Sequence, residues 1–218
     1  MITLHHVPLA RSFRVLWLLE ELGQEFDIRY YSIRDVSMRT PEFLALSPAG
    51  RVPVLEHHGA VWFESGAIVQ LLCETYPEAG LAPKPGSVER ARYLEMLGYA
   101  ETVGCLLENL NLNQVFLRPP AKPSAVVVKL LNARLRAALA AMEARLEGRY
   151  LLASGFSAAD VAFAYGFELA RYYVDLDAYP RLMTYWTRLQ ERPAYIRARA
   201  RDGQQDIYTQ EFYPVPEV

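Results

Sequence analysis

Three short stretches in the first third of the chain hold residue types whose order and spacing could do chemistry. The first is Pro8-Leu9-Ala10-Arg11-Ser12-Phe13-Arg14, a turn that leads into an apolar run. Ser12 reads there as the N-cap of a helix. The start of a helix, with unused N–H groups and a positive dipole end, stabilises a bound thiolate. Arg11 and Arg14 read as solvated or ion-paired side chains. The second stretch is Gly50-Arg51-Val52-Pro53-Val54-Leu55, a proline inside an apolar strand. Proline removes a ladder donor, so the strand lies at an edge or the bond before the proline is cis. A cis bond before Pro53 would leave the Val52 N–H and C=O facing out of the sheet. They could then pair with an extended, peptide-like ligand as an added strand would. An ordinary trans proline at a strand start accounts for the same residues. The third stretch is Phe63-Glu64-Ser65-Gly66-Ala67-Ile68. A helix starting near Ser65 would offer its N–H groups to a ligand carboxylate, with the Ser65 hydroxyl as a further donor. Glu64 would pair with a ligand ammonium, and the two charges together describe an amino-acid head group. Ser65 as a plain cap and Glu64 as a complement to the helix dipole are the alternative.

The elements that must position these residues follow from apolar periodicity and breakers. Ile2–His6 is a short buried strand. Phe13–Leu22 is a helix stopped by Gly23. Phe26–Ser32 suits a strand, and Pro41–Leu46 a short helix with proline in its first turn. Val52–His57 and Ala60–Phe63 flank His58-Gly59, which signals a hairpin. Ser65–Tyr76 is helical. The order βαβ, then αββα, predicts a small mixed sheet with a parallel pair joined by a helix and followed by a hairpin.

The stretch from Tyr76 to Gly86 holds three prolines and two glycines and reads as a linker. Residues 1–80 carry 6 basic and 10 acidic groups and the remainder 17 and 15, so the charge changes from −4 to +2 there. Beyond it the pattern is helical: Ser87–Phe116, Ser124–Glu147, Ser157–Tyr173 and Ala178–Glu191, with Pro193 opening another helix. Phe156-Ser157-Ala158-Ala159-Asp160-Val161 has the form of a capping box with Asp at its fourth position. The tail from Gly203 is aromatic and contains proline.

Composition excludes several classes. The chain has 218 residues with a formal charge of −2, which argues against a dedicated nucleic-acid binder. With 52% hydrophobic and 22% charged residues it is not mainly disordered. No stretch approaches the length of a membrane helix, and the first residues lack the features of a signal peptide. Cys73 and Cys105 form no close-spaced pair, which argues against a disulfide framework or a zinc knuckle. The four histidines form two adjacent pairs, His5-His6 and His57-His58, and strand alternation should turn one of each pair in and one out. No cysteine or carboxylate cluster completes a metal site with them. A cytoplasmic protein is expected.

Together and in register, the LLEELG helix entry, SPAGRVPVL, the Glu64-Ser65 pair, the linker and FSAADVAFA resemble the soluble glutathione transferases over nearly the whole chain. The branch they are most similar to is the bacterial and fungal one, with a His-His strand followed by a W-L-L-E-E-L helix. The resemblance implies a thioredoxin-like, glutathione-binding α/β domain over residues 1–80 and an all-helical domain over 87–218 that contributes the electrophile site. It implies that Pro53 is cis and that the Val52 main chain pairs with the cysteinyl unit of glutathione. Glu64 and Ser65 would hold the γ-glutamyl end, with Arg39 and Arg51 as candidates for the glycine carboxylate. Ala10, Tyr99, Tyr165 and Phe212 would line a site for a small apolar electrophile. A cytoplasmic homodimer acting in detoxification, with glutathione as co-substrate and no metal, nucleic acid or membrane, completes the expectation.

One position departs from the family. The branch commonly reads Ser-Arg-Ser-x-Arg after the first strand, and its first serine hydrogen-bonds the glutathione sulfur. Here Ala10 stands in that place. Three readings remain open. Ser12 takes over; or the N–H of Arg11 or Ser12 holds the thiolate; or the protein binds glutathione and transfers it poorly. A hydrogen bond to a charged partner contributes ~1.5–3 kcal/mol. That is about one to two units of thiol pKa, so losing the hydroxyl slows attack without abolishing binding. Glutathione-dependent disulfide or reductive chemistry, and a non-catalytic carrier of glutathione or apolar ligands, are the rival functions.

Overall fold

Ile2–His6 forms β1, at the centre of a four-stranded sheet in the order β2-β1-β3-β4, in a computed structural model that describes residues 1–216. β2 (Phe26–Tyr30) runs parallel to β1, with Leu4 opposite Ile28. β3 (Val54–His57) is antiparallel to β1, with Leu4 opposite Leu55, and β4 (Ala60–Phe63) closes the hairpin. The hairpin turn uses His58 at φ 50° and Gly59 at φ 76°. Two positive angles are what a tight two-residue turn with the right twist requires.

α1 (Ser12–Glu21) crosses from β1 to β2 and buries nine of its ten residues. A helix apolar nearly all round must be covered on several sides, and α1 packs on β1, on α3 (Ser65–Thr75) and on α8 (Pro193–Asp202). α2 (Pro41–Leu46) follows a 3₁₀ turn at Ser37–Arg39. The expected βαβαββα order is therefore present, with element ends moved by two residues or fewer. His5 and His6 do alternate across the sheet, but both are fully buried because both faces are covered. His5 meets Tyr31 and Phe43, and His6 meets Asp202 at the end of α8.

The chain divides into two compact units, Met1–Ala82 with Gln190–Ile207, and Pro83–Leu189 with Tyr208–Val218. α8 belongs to the first unit for visible reasons. Tyr195 sets its ring edge-on to Trp17, with centroids 4.9 Å apart. Arg197 and Arg201 pair with Glu20, and Arg192 grips Glu21 with two contacts of 2.7 Å. Acidic residues at the end of a buried helix need such partners, because an uncompensated carboxylate in that place is expensive.

The second unit is built from α4 (Val88–Gln114), α5 (Ala125–Arg145), α6 (Ala158–Ala170) and α7 (Pro180–Gln190). Among its described residues there is no strand beyond one isolated bridge, Leu152 to Gly155. α6 is buried along all 13 residues and packs on α4, with Gly166 allowing Val103 to approach closely. Its start is the expected capping box: Asp160 accepts from the Ser157 N–H at 2.8 Å, and the Ser157 side chain serves the helix in return. No helix among the described residues is long and apolar enough to cross a membrane.

Candidate functional site

The three chemical stretches all fall in the first unit, at the ends of its strands and helices. The Val52-Pro53 bond is cis. Val52 lies just before β3, and neither its N–H nor its C=O bonds to another described residue. A main-chain donor and acceptor of that kind are ready to pair with an extended ligand.

α3 begins at Ser65, and Glu64 immediately before it is held at φ 75°, ψ 107°. That is the left-handed side of the map, where a side chain costs ~1–2 kcal/mol. The strained turn leaves the Glu64 side chain exposed, while its carbonyl accepts the first helical bond, from Ile68 at 2.9 Å. The expected Ser65 cap is corrected. Ser65 is the first helical residue, and its hydroxyl accepts from Arg14 Nη1 at 3.2 Å. Arg14 is fully buried in the first turn of α1, so the reading of it as solvated is also corrected. Its guanidinium adds fixed positive charge beside a helix start that already favours anions. Sequence reasoning missed this role; the signal available was a lone arginine in an otherwise apolar helical run.

The β1–α1 turn is laced to itself. Ser12 is not a cap; Arg11 holds the cap position, and Ser12 is the first residue of α1. The Ser12 hydroxyl, fully buried, accepts from the Val7 N–H at 3.2 Å and donates to the Val7 carbonyl at 3.3 Å. Its one proton is thus spent on the main chain. The Ser12 N–H, at the start of a helix, has no helical carbonyl before it. Ala10 and Arg11 are both part-exposed beside it.

Arg39 closes the 3₁₀ turn and lies over Gly50. A Cβ on Gly50, which has φ 62°, would come within 2.7 Å of Arg39 Nη1 and 3.1 Å of the Met38 carbonyl. The missing Cβ therefore makes room for the Arg39 guanidinium over Gly50, one residue before the exposed Arg51.

Tyr99, Tyr165 and Phe212 lie in the second unit. Tyr99 donates to the Ala138 carbonyl at 2.9 Å, linking α4 to α5, and partial burial raises its phenol. Tyr165 is buried within α6 and Phe212 is exposed in the tail. The tail instead anchors through its aromatic Tyr208 and Tyr213, whose partners Tyr172 and Tyr173 the sequence did not single out. Tyr208 stacks on Tyr172 at 3.7 Å, and the Tyr213 N–H donates to the Tyr172 carbonyl at 2.8 Å. Burial pushes the Tyr173 and Tyr208 phenols up, so both stay neutral.

Cys73 is buried, Cys105 is exposed, and both are free thiols. His57 is lowered by burial and by His58 beside it. No group of three or more potential ligands among the described residues could hold a metal ion.

A mixed four-stranded sheet with a cis-proline before β3, followed by an all-helical unit, defines a thioredoxin-like glutathione-transferase fold. The glutathione S-transferase N-terminal domain matches residues 10–75 and the C-terminal domain residues 110–193. A probable glutathione S-transferase from Oryza sativa is 30% identical over 190 residues, covering 83% of this chain and 87% of the relative. A crystal structure of a glutathione transferase from Methylococcus capsulatus is 28% identical, with a TM-score of 0.81 over 93% of this chain and 98% of that one. A disulfide-bond oxidoreductase from Escherichia coli is 26% identical, covering 89% of this chain and 92% of the relative. The chain belongs to the glutathione S-transferase family.

Proposed function

We propose that the protein is a glutathione transferase that holds its thiolate with main-chain N–H groups at the start of α1. The carrying observation is the unpaired Val52 main chain at cis-Pro53, on a strand whose Val54 stands opposite Phe63, just before the Glu64-Ser65 turn that buried Arg14 backs. In this reading residues 1–80 bind glutathione and residues 87–218 supply contacts to a small apolar electrophile, with Tyr99, Tyr165 and Phe212 as candidates. Val52 pairs with the cysteinyl unit, and Glu64 and Ser65 take the γ-glutamyl ammonium and carboxylate. Arg39 and Arg51 take the glycine carboxylate. The thiol proton leaves to solvent. The sulfur lone pair forms the S–C bond, and the displaced electron pair departs with a leaving group or into a conjugated acceptor. The protein contributes orientation and thiol acidity. A cytoplasmic homodimer is part of the reading; exposed Val61, Trp62 and Phe63 on β4 support an apolar contact surface.

The test is a titration of bound glutathione by ultraviolet absorbance, in wild type and Ser12→Ala. Because the Ser12 hydroxyl is spent on Val7 while the Leu9 N–H, nearer the donors, stays held by Asp202, the thiol pKa stays lowered in both. A shift lost in Ser12→Ala makes the hydroxyl necessary and overturns the main-chain assignment as stated, and an unshifted wild-type thiol sinks the transferase reading in favour of a carrier.

A second reading is supported by Ala10 and by the likeness to the oxidoreductase. There, bound glutathione thiolate attacks a disulfide sulfur and releases the other sulfur as thiolate. No protein cysteine lies in the β1–α1 turn. Turnover of hydroxyethyl disulfide set against that of an aryl halide separates the two.

A further inference from the structure

We propose that Asp202, the last residue of α8, is a positioning residue for the thiol site. The inference rests on the glutathione reading above. Asp202 lies far along the chain from the β1–α1 turn, yet it is buried and touches both that turn and the end of β1. Its Oδ1 accepts the Leu9 N–H at 3.1 Å. The same oxygen and the Asp202 carbonyl each lie 3.0 Å from His6 Nε2. Two acceptors facing one ring nitrogen require that nitrogen to carry the proton, so His6 donates to both. The other carboxylate oxygen is fixed by Arg199 at 2.9 Å, and the Arg199 guanidinium lies over the Phe13 ring at 5.0 Å.

The turn needs this anchor. Leu9 sits at φ 59°, a conformation that a bulky L residue rarely adopts and that the surroundings must over-determine. One step further the Ala10 N–H turns back onto the Val7 carbonyl at 3.1 Å, and Arg11 and Ser12 follow with the N–H groups assigned to the thiolate. The direction of those groups depends on how Leu9 turns the chain out of β1 and into α1. Gly203 completes the clamp. At φ 88°, a Cβ there would lie 3.1 Å from the Pro8 ring. The turn is therefore bound from inside by Ser12 on Val7 and from outside by Asp202 on His6 and Leu9. An oxyanion-type site works through donors that are already in place when charge develops. A loosened Leu9 would let the donors drift while leaving Val52 and Ser65, on other elements, in position.

The experiment compares wild type, Asp202→Asn and Asp202→Ala by three readouts: the thiol pKa of bound glutathione, its Kd, and thermal midpoint. Asparagine keeps an oxygen that accepts from both His6 and Leu9, so Asp202→Asn retains the wild-type thiol pKa. In Asp202→Ala the bound thiol pKa rises by about one unit, the worth of one weakened hydrogen bond to a charged acceptor. The Kd for glutathione stays within about threefold, since the binding groups are on other elements. If Asp202→Ala does not fold, Asp202→Ser carries the comparison, because its shorter hydroxyl falls short of the Leu9 N–H. An unchanged thiol pKa in the folded Ala or Ser variant, or an equal rise in Asp202→Asn, overturns the positioning role. A wild type with no lowered thiol pKa fails the transferase reading itself, and this inference falls with it.

Discussion

The guanidinium of Arg14 reaches the hydroxyl of Ser65 at 3.2 Å, joining the first turn of α1 to the first residue of α3. Two of the three chemical stretches are thereby held together by a fully buried cation. Arg14→Met, similar in volume and without charge, is expected to weaken glutathione binding by about tenfold or more, the worth of a charged hydrogen bond in a desolvated place. Calorimetric titration checks it, with circular dichroism confirming the fold. Unchanged affinity would make Arg14 a packing residue only.

Glu64 combines a proposed ligand contact with an unfavourable backbone, φ 75°. Stability and binding should therefore move in opposite directions. Glu64→Gly removes the left-handed penalty, so the thermal midpoint stays level or rises. Glutathione affinity falls by about fivefold, appropriate to a charge pair at an exposed site. A joint fall of both would show the turn to be structural alone.

Gly50 and Gly23 both have positive φ, 62° and 63°, but only Gly50 has neighbours where a Cβ would go. Gly23→Ala should cost about 1 kcal/mol for backbone conformation alone. Gly50→Ala should cost more, because the Met38 carbonyl must give way, and it should also move Arg39 and weaken glutathione binding. Denaturant melts of the two variants make the comparison, and equal costs would contradict it.

Asp160 is buried at the start of α6, and desolvation raises its carboxyl to about 6 despite hydrogen bonds from Leu151, Ser157 and Tyr185 that act the other way. Between its ordinary value of 3.8 and about 6 the folded state holds the proton more firmly than the unfolded state. Stability from this group therefore falls as pH rises through that window and is level above it. Asp160→Asn loses one accepting oxygen and should cost about 1–3 kcal/mol at neutral pH. Its deficit should be larger near pH 4 than near pH 7. Thermal midpoints across that range measure it, and a constant deficit would mean that folding does not raise the Asp160 carboxyl.

Local signals accounted for much of the fold. His58-Gly59 marked the hairpin because few other pairs accept two positive φ angles. Ser157 and Asp160 marked the start of α6 because a capping box is satisfied within four residues. Pro53 by itself left an edge strand, a trans bond and a cis bond all open, and only the family resemblance implied the cis bond that is found. Side-chain destinations were less legible. Ser12 and Ser65 both looked like caps, since a serine before an apolar helix normally is one. Ser12 turns back to Val7 instead, and Ser65 is claimed by Arg14.

By itself the sequence determined the order of the elements, the break after the first α/β segment, and the residue types at cis-Pro53 and the Glu64-Ser65 turn. Each of these rests on interactions spanning a few residues, where propensity and sterics suffice. Only the tertiary structure decided that α8 returns to the first unit. It also decided that Arg14 serves α3 and that Asp202 holds His6 and Leu9. Those partners stand 51 and 196 or 193 positions apart. Burial of charge in such places becomes acceptable only once packing brings the partner within hydrogen-bond reach, and no local pattern records that meeting.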